Sequence, residues 1–244
     1  MSVALRSTLF AAVQILITPP FAFIALLTFP FDPLTRYRII TAWTRLLLHA
    51  LALICGIRYR VIGRENIPHM PCVVLAKHQS AWDALGFQLI FPPHVWVIKR
   101  ELLWIPFFGW GLAMLSPIAI KRSSAMRAMR QLLEQGRERL QSGLWVIVFP
   151  EGTRVAPGAR ARYQTGGAAV AIHAHVPVLP VAHNAGTCWG RQAFLKYPGT
   201  ITVSIGKPID THNKKADALT QEVEDWIEGE MQHLDNGKAH SVPA

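Results

Sequence analysis

The sequence predicts an α/β fold, a mixed and largely parallel sheet flanked by helices, with a two-helix membrane anchor at the N-terminus. Three observations lead there. No charged residue occurs between Ser7 and Phe31. Beyond Gly56, short β-like apolar runs alternate with stretches of helical periodicity, the signature of an α/β sheet. The composition is intermediate: 51% of the 244 residues are hydrophobic and 16% charged, with a mean hydropathy of +0.24. That is high for a wholly soluble domain and low for a polytopic membrane protein, and the length suits one α/β domain plus an anchor.

The first apolar run is long enough to cross a hydrocarbon core of about 30 Å at ~1.5 Å per residue. Pro19-Pro20 stands in its middle, and proline removes a backbone donor, so a bend or break is expected there. A second apolar stretch, about Ile39 to Ile57, carries Arg45 and His49 on one helical face. A charge at the bilayer centre costs ~3 kcal/mol, so this helix is expected at the interface or packed on the first, the pair dipping into one leaflet. Arg6, Arg36, Arg38, Arg58, Arg60 and Arg64 flank the region, as on a cytoplasmic face. The expected location is therefore the membrane, the inner membrane in a bacterium, with the α/β domain facing the cytoplasm. A cleavable signal peptide is the alternative, without an obvious A-x-A site to support it.

Strands are expected at Ile57–Ile62, Cys72–Ala76, Val95–Lys99, Pro117–Lys121, Leu144–Phe149, Val176–Ala182 and Thr200–Gly206. A helix is expected from Ser123 to Ser142, where Met126, Met129, Leu132, Leu133 and Leu140 recur at helical spacing and Gly143 suits the C-terminal cap. Thr165–His175 and Lys215–Leu234 are further helices. The division is an anchor over 1–56, an α/β domain over 57–235 and a frayed tail over 236–244.

The net charge is +10, which favours anionic partners such as phospholipid headgroups, phosphate-bearing substrates, an acidic carrier protein or nucleic acid. Nucleic acid is disfavoured because no reading motif accompanies the charge and the chain opens on an apolar anchor. The arginines of the 123–142 helix (Arg127, Arg130, Arg137, Arg139) read as a solvated face able to meet anionic lipid. Three cysteines, Cys55, Cys72 and Cys188, cannot form a complete disulfide set, consistent with a reducing compartment. His173 and His175 would need a third ligand such as His183 to hold a metal, and no metal is expected.

The sharpest segment is CVVLAKHQSAWDALGFQLI, Cys72 to Ile90. A buried strand ends near Lys77 and a helix begins close to Ser80. Ser80 and Asp83 form a capping-box pattern, a purely structural use of the carboxylate. In one continuous helix, residues five apart would lie about 140° around the axis, so His78 and Asp83 would not touch. With His78 in the strand-to-helix turn, Asp83 can reach back, accept the Nδ1–H and leave Nε2 as a base. No G-x-S-x-G elbow and no Cys–base pair supplies a protein nucleophile, so such a pair suits activation of a substrate hydroxyl. The second segment, LWVIVFPEGTR, runs a buried strand into Pro150, Glu151, Gly152, Thr153 and Arg154. Arg154 offers a planar fork matching phosphate. Glu151 could position that Arg or a neighbouring loop, and the whole could also be a polar turn with a local ion pair. The run LLWIPFFGWGLAML from Leu102 to Leu115 could line an apolar tunnel, dip into lipid or form ordinary core.

From Ile57 to Ile209 the sequence resembles the glycerolipid acyltransferases, specifically the 1-acyl-glycerol-3-phosphate acyltransferases. Four blocks match in order: His78-x4-Asp83; Lys99-x-x-Leu102-x-x-x-Pro106-x-x-Gly109 followed by Ile120-Lys121-Arg122; Glu151-Gly152-Thr153-Arg154; and Val176-Pro177-Val178-Leu179-Pro180-Val181. The resemblance implies His78 and Asp83 as the catalytic pair, Arg154 with Lys121, Arg122 and Lys99 for the substrate phosphate, and Glu151, Gly152, Thr153 and Pro177 as motif residues of structural weight. It implies a lysophospholipid acceptor and an acyl-CoA or acyl-carrier-protein donor as co-substrate, with no cofactor and no metal. Another lysolipid acceptor, such as a lyso-ornithine lipid or lysophosphatidylglycerol, and a non-catalytic lipid-binding role are the competing readings. Lys77 is a departure, since many members carry Asn before the His. Its ammonium either approaches His78, lowering the imidazole pKa, or follows strand alternation and points away.

Overall fold

The structure, a computed structural model, describes residues 1–121 and 125–236. The expected architecture is present. Helices α1 (Val3–Leu27) and α2 (Pro33–Ala50) open the chain, and a π-helical turn, Leu51–Cys55, continues α2. Then follow β1 (Ile57–Ile62), β2 (Val73–Ala76), α3 (Trp82–Ile90), β3 (His94–Lys99), α4 (Phe108–Met114), β4 (Ile118–Ile120) and α5 (Ala125–Gln141). The chain closes with β5 (Trp145–Val148), α6 (Gly166–Ala174), β6 (Val178–His183), β7 (Gly199–Ile205) and α7 (Ala216–Asn236).

The seven strands form one sheet in the order β1-β7-β6-β2-β5-β3-β4. Every neighbouring pair is parallel except β6–β7. Period-two alternation sends the buried side chains of the central strands to two opposite layers. Val74, Ala76, Ile147 and Leu179 pack with α3 and the N-terminal helices, through Trp82, Phe87, Leu47 and Phe10. Val73, Leu75, Val146 and Val178 pack with α5, α6 and α7, through Leu132, Val170, Leu219 and Val223. At ~1.5–3 kcal/mol per fully buried large aliphatic or aromatic side chain, these two layers supply most of the drive to fold. Gly167 lets α6 lie flush on the sheet: a Cβ there would stand 2.4 Å from Leu75 Cδ2.

Pro19 and Pro20 do not break α1, which is helical across both. The break expected there does not occur, because proline's fixed φ is itself helical and α1 packs along α2 and α4. The Thr18 hydroxyl donates to the Gln14 carbonyl at 2.6 Å. Asp32 caps α2, its Oδ1 accepting the N–H groups of Leu34 and Thr35, with Pro33 at the first position. Arg45 and His49 are both exposed. By length and composition, Val3–Leu27 and Pro33–Cys55 are each sufficient to cross a membrane, with mean hydropathies of 2.1 and 1.4. Along α5, Leu132 and Leu140 are buried, Met126 is exposed and Arg139 turns in to donate to the Ser116 carbonyl at 3.1 Å.

His94, at the start of β3, is fully buried. Its Nδ1 lies 2.9 Å from the Pro92 carbonyl, which can only accept, so this nitrogen carries the proton. The Tyr37 hydroxyl is 3.0 Å from the same atom, while Nε2 has no partner among the described residues. Burial pushes this imidazole down to about 4. Its folded value lies below the unfolded one, so its stabilising effect is complete above about pH 6.5 and is lost as pH falls towards 4. Thermal midpoints in detergent should therefore drop more steeply on acidification in the wild type than in His94→Phe, by the equivalent of roughly 3 kcal/mol; parallel pH dependences would refute this.

Candidate active site

Strands β2 and β5 are adjacent and parallel, so their carboxyl ends, carrying His78 and the 151–154 turn, open at the same edge of the sheet. From β2 the chain passes through α3 in one layer, and from β5 through α6 in the other. The strand order thus reverses between them, which leaves a crevice at the switch point where α/β sheets place their ligands.

His78 lies in the turn between β2 and α3, and Asp83 in the first turn of α3. The His78 Nδ1 and Asp83 Oδ2 are 2.9 Å apart. The same oxygen accepts the backbone N–H groups of Gln79 and Ser80, each at 2.9 Å. The capping and orienting uses of this carboxylate are therefore one arrangement. The Ser80 hydroxyl accepts from the Trp82 N–H instead of closing a reciprocal box with Asp83. Asp83 is fully buried. Burial alone would raise its carboxyl, but nearby His183, the His78 bond and the backbone donors outweigh it and hold the group below its usual value. An ionised carboxylate can only accept, so Nδ1 of His78 carries the proton and Nε2 presents its lone pair.

Residues of the 151–154 turn and just beyond fix the backbone of His78. Glu151 Oε2 accepts the His78 N–H at 2.7 Å, and the His78 carbonyl accepts the Val155 N–H at 2.8 Å. Phe149 stacks on the imidazole, with ring centroids 3.8 Å apart and planes 11° apart. Gly152 supplies a left-handed residue, φ +67°, which lets the chain turn sharply after Glu151. Glu151 does not pair with Arg154: its ionic partner is Lys77, at 2.9 Å. Of the two directions open to Lys77, alternation wins. Its ammonium is buried on the α7 side, where Glu228 Oε1 lies at 2.6 Å. Pro177 stands at the head of β6, its carbonyl accepting from Val73 at 3.1 Å.

His78 lines a cavity of about 1040 Å³, at the top of the ~300–1,000 Å³ range usual for small-molecule sites. Lys99, Arg154 and Arg191 line it, with Gly152 and Thr153. Its apolar wall comes from Leu102, Phe107, Phe108 and Leu112 in and before α4, and from Phe21, Ala22 and Trp43 in α1 and α2. Lys121 is exposed and is not among the lining residues, and Arg122 lies outside the described residues. Two contributors were missed in the sequence. Arg191 has no motif around it. His183, weighed only as a metal ligand, is fully buried behind Asp83, with Nε2 3.6 Å from Asp83 Oδ1. Its Nε2 donates to the Lys77 carbonyl at 2.7 Å and its Nδ1 accepts from Ala185 at 3.2 Å. Burial pushes its imidazole down, so the neutral tautomer is fully bonded there. His173 and His175 are exposed at the end of α6, and no cluster of three His, Cys, Asp or Glu side chains suited to a metal occurs among the described residues.

Residues 58–184 match the acyltransferase family. A 1-acyl-sn-glycerol-3-phosphate acyltransferase of Pseudomonas aeruginosa is 46% identical over 203 residues, which cover 82% of this chain and 79% of that protein. One of the same description from Saccharomyces cerevisiae is 31% identical over 182 residues, covering 72% of this chain and 59% of that longer protein. The crystal structure of the 1-acyl-sn-glycerophosphate acyltransferase PlsC from Thermotoga maritima superposes with a TM-score of 0.78 over 95% of both chains, at 23% identity, and so shares the fold. With the family match spanning 58–184 and this degree of identity to the Pseudomonas protein, the chain belongs to the acyltransferase family.

Proposed function

We propose that the protein transfers a fatty acyl group from acyl-CoA or acyl-carrier-protein to the sn-2 hydroxyl of 1-acyl-glycerol-3-phosphate, giving phosphatidic acid. The observation that carries this is the pairing, in one cavity, of the His78–Asp83 dyad and the Lys99, Arg154 and Arg191 cations with a long apolar wall. An acceptor that is an anion at one end and an acyl chain at the other fits such a site. The 46% identity to a relative described by this reaction supports the reading.

His78 Nε2 takes the proton of the acceptor hydroxyl as its oxygen attacks the thioester carbonyl. The tetrahedral intermediate then expels the thiolate, which recovers that proton from the imidazolium. Asp83 holds the ring and stabilises its transient charge. Arg154 grips the phosphate in bidentate fashion, with Lys99 and Arg191 adding charge at the cavity mouth. Positioning of acceptor against donor contributes as much as the base itself.

Helices α1 and α2 anchor the protein in one leaflet, with the arginine-flanked face towards the cytoplasm. Ile15, Leu16 and Leu27 are exposed on α1, and the ring of Phe23 joins Phe107 and Trp110. The apolar surface therefore continues onto Trp104, which is 71% exposed, and this segment enters the lipid beside α1.

Purified wild type should form phosphatidic acid from lysophosphatidate with at least one of the two donors, and His78→Ala should lose roughly 10²-fold or more. A variant with full activity would exclude His78 as the base. Arg154→Ala should raise the KM for lysophosphatidate about 10- to 100-fold, the worth of a charge-assisted contact. The donor KM should change far less; an unchanged acceptor KM would remove Arg154 from the phosphate site. Trp104→Glu should reduce flotation with anionic vesicles about 10-fold at an unchanged thermal midpoint, whereas equal flotation would leave this segment outside the lipid.

A further inference from the structure

Beside His78 lies a buried ionic cluster of which only Glu151 belongs to a sequence motif. Lys77 Nζ sits between Glu151 Oε1, at 2.9 Å, and Glu228 Oε1, at 2.6 Å. The Lys77 side chain is 2% exposed and that of Glu228 9%. Glu228 comes from α7, beyond the 58–184 segment that matches the family. It also accepts the Tyr163 hydroxyl at 3.0 Å and lies 3.5 Å from Arg160 Nε. Tyr163 and Arg160 belong to the loop that carries Arg154, and that loop is closed by the Gln164 N–H bonding the Pro150 carbonyl at 2.8 Å. One carboxylate on the last helix thus joins the end of β2 to the far side of the loop after β5.

We propose that Lys77 and Glu228 are positioning residues: together they fix the Glu151 carboxylate as the acceptor of the His78 N–H, and so set where the imidazole stands. Glu151 has two oxygens and two tasks, Oε1 towards Lys77 and Oε2 towards the His78 N–H. An ammonium buried this deeply needs acceptors on more than one side, and Glu228 supplies the second. Lys77 is the buried cation between two buried carboxylates, with the exposed Arg160 at the margin, so removing Lys77 leaves buried negative charge without its partner. The inference rests on the reading of His78 as the base.

The charges around Glu151 give the cluster a signature that packing alone lacks. Burial pushes the Glu151 carboxyl up to about 7, opposed by Lys77 and the His78 N–H and reinforced by Glu228. The polar groups facing it are Lys77 on β2, Glu228 on α7 and Tyr163 on the loop, with Arg160 and Glu224 at the margin. Removing Lys77 therefore raises the Glu151 carboxyl and removing the Glu228 charge lowers it. In the presence of the Lys77 ammonium the ionised form is the better acceptor for the His78 N–H.

The test measures kcat/KM against pH for wild type, Lys77→Met and Glu228→Gln, with thermal midpoints and His78→Ala alongside. The acidic limb should move to higher pH in Lys77→Met and to lower pH in Glu228→Gln, each by about half a unit or more. Both variants should lose about 10-fold or more in kcat at pH 7 with acceptor KM changed less than kcat. Coincident limbs in folded variants overturn the proposal, as does loss of activity that only parallels loss of the fold. If Lys77→Met does not fold, the acid shift of Glu228→Gln, which keeps the volume and an acceptor, decides alone. Should His78→Ala retain activity, the assignment of the base fails; should it be inactive while the limbs coincide, only the roles of Lys77 and Glu228 fail.

Discussion

The site is organised by one buried carboxylate oxygen. Asp83 Oδ2 accepts three N–H groups, from the His78 ring and from the backbones of Gln79 and Ser80, each at 2.9 Å. A carboxylate with no access to water is costly unless its lone pairs are used, and here their use dictates geometry. The two backbone donors force the chain to wrap around the carboxylate as β2 gives way to α3, and the wrap brings the imidazole within reach. Satisfying a helix end and orienting the imidazole are one requirement met by one group, which is why His78 is held in this turn and not further along α3.

The second constraint comes from the sheet. Because β2 and β5 are adjacent and parallel, the 151–154 turn arrives beside His78, takes its N–H through Glu151 and places Arg154 at the cavity. The helices that follow leave to opposite layers, so nothing fills the space above the strand ends. Residues 73 apart in sequence hold one another through a backbone bond.

Much of this was legible in the residues. All seven strands fall within two residues of their expected limits, because most are short apolar runs, or alternating ones such as β1, bounded by Gly, Pro or a charge. The turn geometry of His78 and Asp83 was derivable because a continuous helix would have kept them apart. What could not be read was tertiary. Glu151 could be read as positioning either Arg154 or a neighbouring loop; it holds the His78 turn, and its ionic partner Lys77 was not legible because only alternation at the end of β2 brings that lysine beneath the turn. His183, at the end of β6, and Arg191, beyond it, reach the site only through the tertiary arrangement of the chain. The proline pair in α1 failed as a breaker because local propensity is a weaker influence than the packing of α1 against α2 and α4.

The wall of the cavity carries a consequence for how the two parts of the chain relate. Phe21, Ala22 and Trp43 face the same hollow as His78, and Phe10, Leu47 and Leu51 are continuous with the core beneath the sheet. Cutting the chain after residue 56 would not release a soluble enzyme from a tether. It would remove one side of the binding chamber and bare part of the core to water. The same two helices therefore carry much of the exposed apolar surface and one wall of the cavity, and sequence changes that alter their packing also reshape the space beside His78.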